Sequence, residues 1–205
     1  MFNKSKGGYL MTESFISTKD RIISTAIEII SDSGLSSLTT KTISQKANLS
    51  EPLLYRFYGD VNELLVDVAQ YFFRFDKGIR KTIQSKQGTC LEKVKAYVED
   101  YAIYFENYSS LSVLMLQYEE LLHIPATRDI MVAGAEGRRV FVTNLFQDAL
   151  DAGEIRDDLR SEELADLVHG YMHAACLKRR FGIHKGSFRM DMCMFIEKLC
   201  EIIAK

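Results

Sequence analysis

The 205-residue sequence is poor in helix-breaking residues, with only 2 prolines and 12 glycines. Average usage would give roughly ten prolines and fourteen glycines in a chain of this length. Proline lacks a backbone N–H and clashes with the preceding helical turn, so a chain with so few prolines can form long helices. The scarcity argues against a β-sandwich with proline-marked turns, a collagen or a proline-rich linker. The apolar fraction of 47% excludes wholesale disorder.

The sequence also lacks a large excess of either charge. The formal net charge is −2 and the isoelectric point is about 6.1, so the whole chain is not a basic binder of nucleic acid or of acidic membranes. The charge is nevertheless unevenly distributed. The first 58 residues carry seven basic and five acidic side chains, and the remainder carries nineteen and twenty-three. A mildly basic N-terminal part therefore precedes an acidic body.

Signals for export or membrane insertion are missing as well. No run approaches the roughly 18 apolar residues of a transmembrane helix, and the N-terminal lysines precede no apolar signal-peptide core. The four cysteines contain no CxxC pair. We therefore expect a cytoplasmic protein with free thiols and no membrane partner. The cysteines are Cys90, Cys176, Cys193 and Cys200.

Apolar residues recur at helical spacing through most of the sequence, and no strand pattern persists. The pattern predicts an all-α protein of about nine helices. The first predicted helix begins at Thr18 and ends before Gly34, and two short helices follow at 40–47 and 50–58. Six further helices are predicted at 61–84, 89–107, 110–122, 125–152, 161–182 and 187–204.

The turn between the second and third predicted helices has the length found in helix-turn-helix motifs. In this turn Asn48 tolerates the left-handed backbone conformation, and Ser50 is a favoured helix N-cap. Any three short helices joined by polar turns would give the same pattern, so the pattern alone leaves both interpretations open.

The identities of individual residues favour the helix-turn-helix interpretation. The segment from Thr39 to Ser50, then 54–58 (Leu-Tyr-Arg-Phe-Tyr) and 63–65 (Glu-Leu-Leu), resembles the DNA-binding head of the tetracycline-repressor (TetR) family. This resemblance covers about residues 19–65. The rest of the chain matches in being helical and of the right length, and residues 149–159 look like a turn frequent in the family.

The resemblance implies a flexible N-terminal tail at 1–17, a helix-turn-helix DNA-binding domain at 18–65 and a larger helical ligand-binding and dimerisation domain at 66–205. It implies a ligand-responsive transcriptional regulator, a repressor released from a pseudo-palindromic double-stranded DNA operator by a small, largely apolar or aromatic effector. The alternative is an activator, or a protein of this fold that acts through protein partners with weak DNA binding.

Eight residues of the head are expected to contact DNA. The helix N-terminus near Thr39 and Thr40 favours a phosphate, because its free N–H groups and dipole attract anions. By resemblance, Tyr55 donates its hydroxyl to another phosphate. The full set is Thr39, Thr40, Lys41, Ser50, Glu51, Leu53, Tyr55 and Arg56.

Base contacts follow from side-chain chemistry on the third helix. Arg56 can pair with guanine, Glu51 can accept from cytosine, and Leu53 can touch a thymine methyl group. Other interpretations stay open: Thr39 as a helix cap, Tyr55 as a core residue, and Glu51 as a first-turn carboxylate favoured by the dipole. Lys19 and Arg21 are either backbone contacts or solvated surface.

Several positions depart from the family pattern, among them Asn48, which stands where the family has glycine after the second helix. Pro52 stands where many relatives have glycine, Phe57 belongs to a pair that is commonly His-Phe, and Val61 replaces a common lysine. Proline is tolerated in a first helical turn. The changes at Phe57 and Val61 remove possible phosphate partners, so we expect a shallower salt dependence of DNA binding.

The candidate effector pocket rests on a stripe of tyrosines at spacings of four, three and four residues: Tyr97, Tyr101, Tyr104 and Tyr108. Such a stripe provides an apolar wall with a few polar tips. The alternative is half-buried core or interface. The predicted ligand-binding residues are Tyr97, Tyr101, Tyr104, Met115, Tyr118, Phe141 and Met172.

His169, His173 and Cys176 share one helix face, which permits metal ligation. They lack a nearby further ligand and lie on a helix assigned to an interface, so we favour packing or a polar interface role. We expect no metal and no cofactor. The sequence has no GxSxG, HExxH, P-loop or dinucleotide motif, and we expect no enzymatic activity.

The last two predicted helices, at about 161–204, have apolar faces broader than a lone surface helix needs. We expect an antiparallel pair that also packs against a second copy, since two-fold interfaces are the commonest route to oligomers. The residues of these faces are Leu164, Leu167, Val168, Tyr171, Met172, Cys176, Phe188, Met192, Phe195, Ile196, Leu199 and Ile203.

Overall fold

The computed structural model describes residues 17–183 and 186–205, so the predicted tail at 1–17 lies outside the described residues except for Ser17. The described residues form α-helices and short 3₁₀ turns, with no β-strand, and the all-α prediction is confirmed. The helices are α1 (Thr18–Ser33), α2 (Thr40–Ala47), α3 (Glu51–Tyr55), α4 (Val61–Phe73), α5 (Asp76–Ser85), α6 (Cys90–Asn107), α7 (Ser109–Leu114), α8 (Tyr118–Leu122), α9 (Pro125–Asp151), α10 (Ser161–Arg180) and α11 (Phe188–Ile203).

Local sequence explains where many of these helices begin. Ser17, Thr39, Ser50, Asp60, Thr89 and Ser187 each precede a helix and accept a hydrogen bond from a backbone N–H of its first turn. Both prolines lie in first turns, Pro52 in α3 and Pro125 in α9. The few helix-breaking residues thus occupy positions that a helix tolerates.

Two predicted helices are each divided. The range 61–84 breaks between α4 and α5, and 110–122 breaks into α7, a 3₁₀ turn at Met115–Gln117, and α8. At the first break the ring of Phe75 packs against Tyr104, with 5.2 Å between ring centroids, and the carboxylate of Asp76 is buried. The helical spacing of apolar residues continues through this point. Tertiary contacts, and not the sequence pattern, therefore end one helix and start the next here.

The helices α1, α2 and α3 form a small head, and α5 to α11 form a larger body. Both pack around one continuous core. In the head, α1 packs against α2 and α4, and it also contacts α7 of the body. In the body, α9 packs against α4, α6, α8 and α10, and α6 also packs against α11. Helix α4 therefore touches both the head and the centre of the body.

A carboxylate in the 149–159 turn joins distant parts of the body. Glu154 accepts hydrogen bonds of 2.9 Å from the backbone N–H groups of Cys90 and Leu91, at the start of α6. Its own carbonyl accepts from the N–H of Lys205. Among the described residues, every helix is too short or too polar to cross a membrane.

Candidate DNA interface and ligand cavity

The turn between α2 and α3 has the geometry that its sequence predicts. Asn48 adopts the left-handed conformation, with φ 52° and ψ 51°. The N–H of Leu49 donates to the carbonyl of Ser44 at 2.9 Å, and the hydroxyl of Ser50 accepts from the N–H of Leu53 at 3.4 Å. The turn is thus closed by hydrogen bonds from both helices. Helix α3 ends at Tyr55, short of the predicted Tyr58.

Two residues that were predicted to contact DNA, Thr40 and Glu51, connect the N-termini of α2 and α3. Thr39 and Thr42 cap α2 reciprocally through side chain and backbone. The hydroxyl of Thr40 donates to a carboxylate oxygen of Glu51 at 3.3 Å. Thr40 and Glu51 therefore hold the two helices in register, and this contact lies where a phosphate was expected.

The outer face of the head carries the remaining candidates. Lys41, Ser50, Tyr55 and Arg56 are exposed, whereas Leu53 is half-buried. The side chain of Tyr55 is 53% exposed, so core packing does not use its hydroxyl. This face thus presents two cations and a phenol beside the helix-turn-helix.

Other basic residues of the head are engaged within the protein. Lys46 forms ion pairs with Asp32 at 2.8 Å and Glu28 at 3.5 Å. Lys19 forms an ion pair with Asp67 at 2.8 Å, and the hydroxyl of buried Tyr58 donates to the same carboxylate at 2.7 Å. Lys19 is nevertheless 53% exposed, so it is a surface residue held in an ion pair, and a contact with the DNA backbone stays a prediction.

A cavity of about 170 Å³ lies in the body between α6, the 3₁₀ turn with α8, α9 and α10. Five of the seven predicted ligand-binding residues line it: Tyr97, Tyr101, Met115, Tyr118 and Met172. Tyr104 instead packs against Phe75, and Phe141 packs behind Tyr97 with ring centroids 5.6 Å apart. Ala135, Arg138, Arg139, Asp166, His169 and His173 complete the wall.

Arg138 forms a buried ion pair beside this cavity. Its Nε and Nη2 donate to the two carboxylate oxygens of Asp76 at 2.7 and 2.8 Å. Burial opposes the charge, but the hydrogen bonds to Asp76 raise the pKa of Arg138 above its ordinary value. The guanidinium also lies over the ring of Phe72, 4.6 Å from its centroid. Both charges are thus kept in an apolar interior.

The same guanidinium connects three helices. Arg138 belongs to α9, Asp76 is the first residue of α5, and Nη2 also reaches the carbonyl of Phe72 near the end of α4 at 3.4 Å. Its Nη1 donates to the hydroxyl of Tyr118 at 3.3 Å. Sequence reasoning missed Arg138, because nothing in the helical pattern distinguishes a buried arginine from a solvated one.

The two histidines of α10 also lie on the cavity wall. Nδ1 of His173 donates to the carbonyl of His169 at 2.9 Å. Burial, with Arg138 and His173 acting in the same direction, lowers the pKa of His169 to about 4. Its Nε2 is buried and has no hydrogen-bond partner among the described residues. His169 is therefore neutral near pH 7 and presents an unused nitrogen.

Cys176 does not join this pair on the cavity wall. Burial raises the pKa of its thiol to about 12, which disfavours the thiolate that binds metals. In the part of the chain that the structure describes, no three His, Cys, Asp or Glu side chains cluster as a metal site would require.

The surface of α10 and α11 carries an open apolar groove of about 650 Å³. Tyr171 and Phe195 stack in its wall with ring centroids 3.8 Å apart, and Leu167 beside them is 54% exposed. Several residues assigned to an intermolecular face are instead buried in the core of this chain: Leu164, Val168, Met172, Cys176, Phe188, Met192, Ile196 and Ile203. The apolar face of α10 and α11 that is free to contact a second copy is therefore narrower than the sequence pattern indicates.

The sequence of the head matches a known family. Residues 22–68 match the sequence model of the bacterial regulatory proteins of the tetR family. The chain carries a TetR-family head. This agrees with the helix-turn-helix geometry of α2 and α3. A comparison with curated proteins gives no match.

Solved structures extend the TetR fold over nearly the whole chain. The ketosteroid transcriptional regulator KstR2 of Mycobacterium tuberculosis superposes with a TM-score of 0.82 at 14% identity, covering 94% of this chain and 97% of that one. The TetR-family regulator PfmR from Thermus thermophilus gives 0.78 at 16% identity, covering 89% and 98%. FadR from Bacillus subtilis, solved in complex with stearoyl-CoA, gives 0.72 at 15% identity, covering 88% and 96%. At these identities the likeness establishes the TetR fold.

Proposed function

We propose that the protein is a homodimeric transcriptional regulator that binds a pseudo-palindromic DNA operator and is released from it by a small effector. One observation carries the proposal: a TetR-family head is joined, through α4, to a buried arginine that lines a cavity in the body. The chain thus has a DNA-binding motif, a ligand-sized cavity and a helix, α4, that contacts residues of the head and Arg138 of the cavity wall.

The DNA-binding part is supported by the exposed face of the head. Lys41 and Arg56 supply cations and Tyr55 a hydroxyl, while Ser50 and the first turn of α3 face the same solvent. Phosphate contacts fix register and base contacts specify sequence. Thr39, Thr40 and Lys41 would serve phosphates, and Glu51, Leu53 and Arg56 would read bases. In this scheme Glu51 exchanges its contact with Thr40 for one with DNA.

The link from effector to head runs along α4. Asp67 on this helix holds Tyr58 and Lys19 of the head, and the carbonyl of Phe72 near its end accepts from Arg138. An effector beside Arg138 would favour one position of α4 over another. An effector changes the DNA-binding population only through such a difference in affinity between two states.

Dimerisation through α10 and α11 is supported by their open groove. Leu167, Gly170, Tyr171, Ala174 and Phe195 line a groove on the outside of the two helices. A two-fold interface would place the same helices of a second copy there and cover these residues. Two heads held by one dimer can then bind half-sites spaced by about 34–36 Å or a multiple.

DNA binding is tested by fluorescence anisotropy of the full chain with random-sequence duplexes over a series of salt concentrations. The proposal predicts an affinity that falls with rising salt, because bound cations release counterions from the phosphates. The double variant Lys41→Ala/Tyr55→Phe should bind all sequences more weakly. An affinity that is absent, or unchanged by salt, would overturn the DNA-binding proposal and favour action through protein partners.

A further inference from the structure

We infer that the ring of Phe73, which packs against the bare backbone of Gly134, fixes α4 between the body and the head, so that displacing the ring weakens DNA binding. The inference rests on the proposed function, since it names the contact through which the body would control the head. It follows from the close approach of the two residues, from the side chains around the ring and from the place of Phe73 at the end of α4.

Gly134 lies inside α9, where glycine is less favourable than alanine. A Cβ atom added to Gly134 would lie 2.4 Å from Cζ of Phe73 and 2.5 Å from its Cε1 and Cε2. Carbon atoms in favourable contact are about 3.5–4.0 Å apart. Only glycine therefore lets the ring lie this close to the backbone of α9, and the contact gives a physical reason for a glycine in the middle of a long helix.

Other side chains surround the half-buried ring of Phe73. Its centroid lies 4.8 Å from that of Phe72 in an edge-to-face contact and 4.7 Å from the guanidinium carbon of Arg138. The ring of Tyr118 lies further away, with 6.5 Å between centroids. Close-packed side chains transmit a displacement, because few voids can absorb it. A group that pushes on this ring therefore pushes on the end of α4.

The contact adjoins the wall of the cavity. Arg138 and Tyr118 line the cavity, and so does Ala135, the residue that follows Gly134. Phe73 meets these wall residues from the side of α4. A ligand that displaces Arg138 or Tyr118 would therefore change the space left for the ring of Phe73.

The opposite part of α4 holds the head. Asp67 lies six residues before Phe73, about 9 Å along the helix. Its carboxylate accepts from the hydroxyl of Tyr58 at 2.7 Å and pairs with Lys19 at 2.8 Å. A helix of this length is a rigid element that can carry coupling between two sites. A shift at Phe73 is therefore passed to both residues of the head.

The test compares Gly134→Ala with the matched control Gly137→Ala in the full chain. A Cβ atom at Gly137, one turn later on α9, would lie 2.8 Å from Nη1 of Arg80, the end of a flexible side chain that can move aside. Both substitutions gain the same helix propensity. Fluorescence anisotropy uses the tightest-binding duplex from a random-sequence pool. Gly134→Ala should weaken binding about fivefold or more, and Gly137→Ala should leave it unchanged.

The double variant Gly134→Ala/Phe73→Leu separates a positioning role from simple damage to the fold. Leucine lacks the three ring atoms that meet the added Cβ atom. The double variant should therefore recover most of the wild-type affinity. Two substitutions that only damaged the fold independently would instead add their losses. Thermal unfolding of each variant shows whether the chain is folded.

Hydrogen exchange of residues 58–73 gives a measurement that needs no DNA. Exchange there should rise in Gly134→Ala, return to the wild-type level in the double variant and stay at that level in Gly137→Ala. A wild-type chain that binds no DNA but shows this exchange pattern would refute the proposed function and support the role of Phe73 in fixing α4.

Three results would overturn the inference while leaving the proposed function intact, provided that the wild-type chain binds DNA. They are unchanged or tighter DNA binding by Gly134→Ala, the same loss in Gly134→Ala and Gly137→Ala, and a double variant that recovers neither affinity nor slow exchange.

Discussion

At the scale of single residues, the ion pair between Arg138 and Asp76 decides how the body is built. Their side chains are only 6% and 3% exposed. Removing one member of a buried pair leaves an uncompensated charge, whereas removing both can be nearly neutral. The pair joins α9 to the break between α4 and α5. Its loss should therefore lower the stability of the fold and also weaken the proposed coupling between the cavity and the head.

We expect Arg138→Met to lower the free energy of unfolding by about 3–5 kcal/mol, because Asp76 remains buried without a partner. The double variant Arg138→Met/Asp76→Leu should recover most of this loss. Urea unfolding followed by circular dichroism measures both. As a control, Lys198→Met breaks only the exposed pair with Glu201 and should change stability by no more than about 1 kcal/mol. A double variant as unstable as the single one would contradict this account of the pair.

A second prediction at this scale concerns Lys41. Its exposed ammonium lies at the first turn of α2, where it can neutralise one phosphate. Lys41→Ala should weaken DNA binding for all sequences and reduce the salt slope by about one. Anisotropy titrations over a range of salt concentrations give the slope. Lys77→Ala, an exposed lysine on α5, should leave the slope unchanged; an equal loss in both variants would show that Lys41 makes no specific contact.

At the scale of elements, the turn between α2 and α3 depends on one backbone conformation. Asn48 is the only residue other than glycine with a positive φ among those the structure describes. Asn48→Ala should destabilise the protein by roughly 1 kcal/mol, since alanine has no side chain to support the left-handed conformation. Asn48→Gly should be close to neutral, because glycine adopts this conformation readily. Thermal unfolding of the two variants measures the difference, and equal stability would contradict the role given to the turn.

The helices also show how much of the structure could be predicted from the sequence. Local signals predict α1, α2 and the turn at Asn48 well, because caps and apolar spacing are properties of neighbouring residues. The break before α5 could not be predicted, since Phe75 and Asp76 turn there to meet Tyr104 and Arg138, which are distant in sequence. The tyrosine stripe on α6 was found from spacing, but only contacts with other helices determine that Tyr97 and Tyr101 line the cavity and Tyr104 does not.

The same reasoning explains the outcome for α10. Spacing alone identified the face shared by His169 and His173, but it could not separate a cavity wall from an interface. Apolar residues such as Val168 and Cys176 satisfy the helical pattern equally well whether they pack against their own chain or against a second copy. Which helix covers a given face is a property of the assembled body, not of the helix.

At the scale of the whole molecule, the proposed dimer makes a direct prediction. Leu167 and Ala174 line the groove of α10 and α11, so Leu167→Glu/Ala174→Glu should place two like charges in the interface of each copy. Sedimentation analysis should then give a dimer for the wild-type chain and a 23.4 kDa monomer for the variant. Val140→Glu, at an exposed apolar residue of α9, should remain dimeric. A wild-type monomer would contradict the proposed assembly.

The account as a whole depends on whether the heads recognise a two-fold DNA site. The most direct measurement is selection of bound fragments from a pool of random duplexes by the full chain, followed by sequencing. We predict enrichment of a pseudo-palindrome whose half-site centres lie about 10–10.5 base pairs apart or a multiple of that. Arg56→Ala should relax the preference at one base position in each half-site. A pool that stays unenriched, with the same composition before and after selection, would contradict the claim that this protein is an operator-binding regulator.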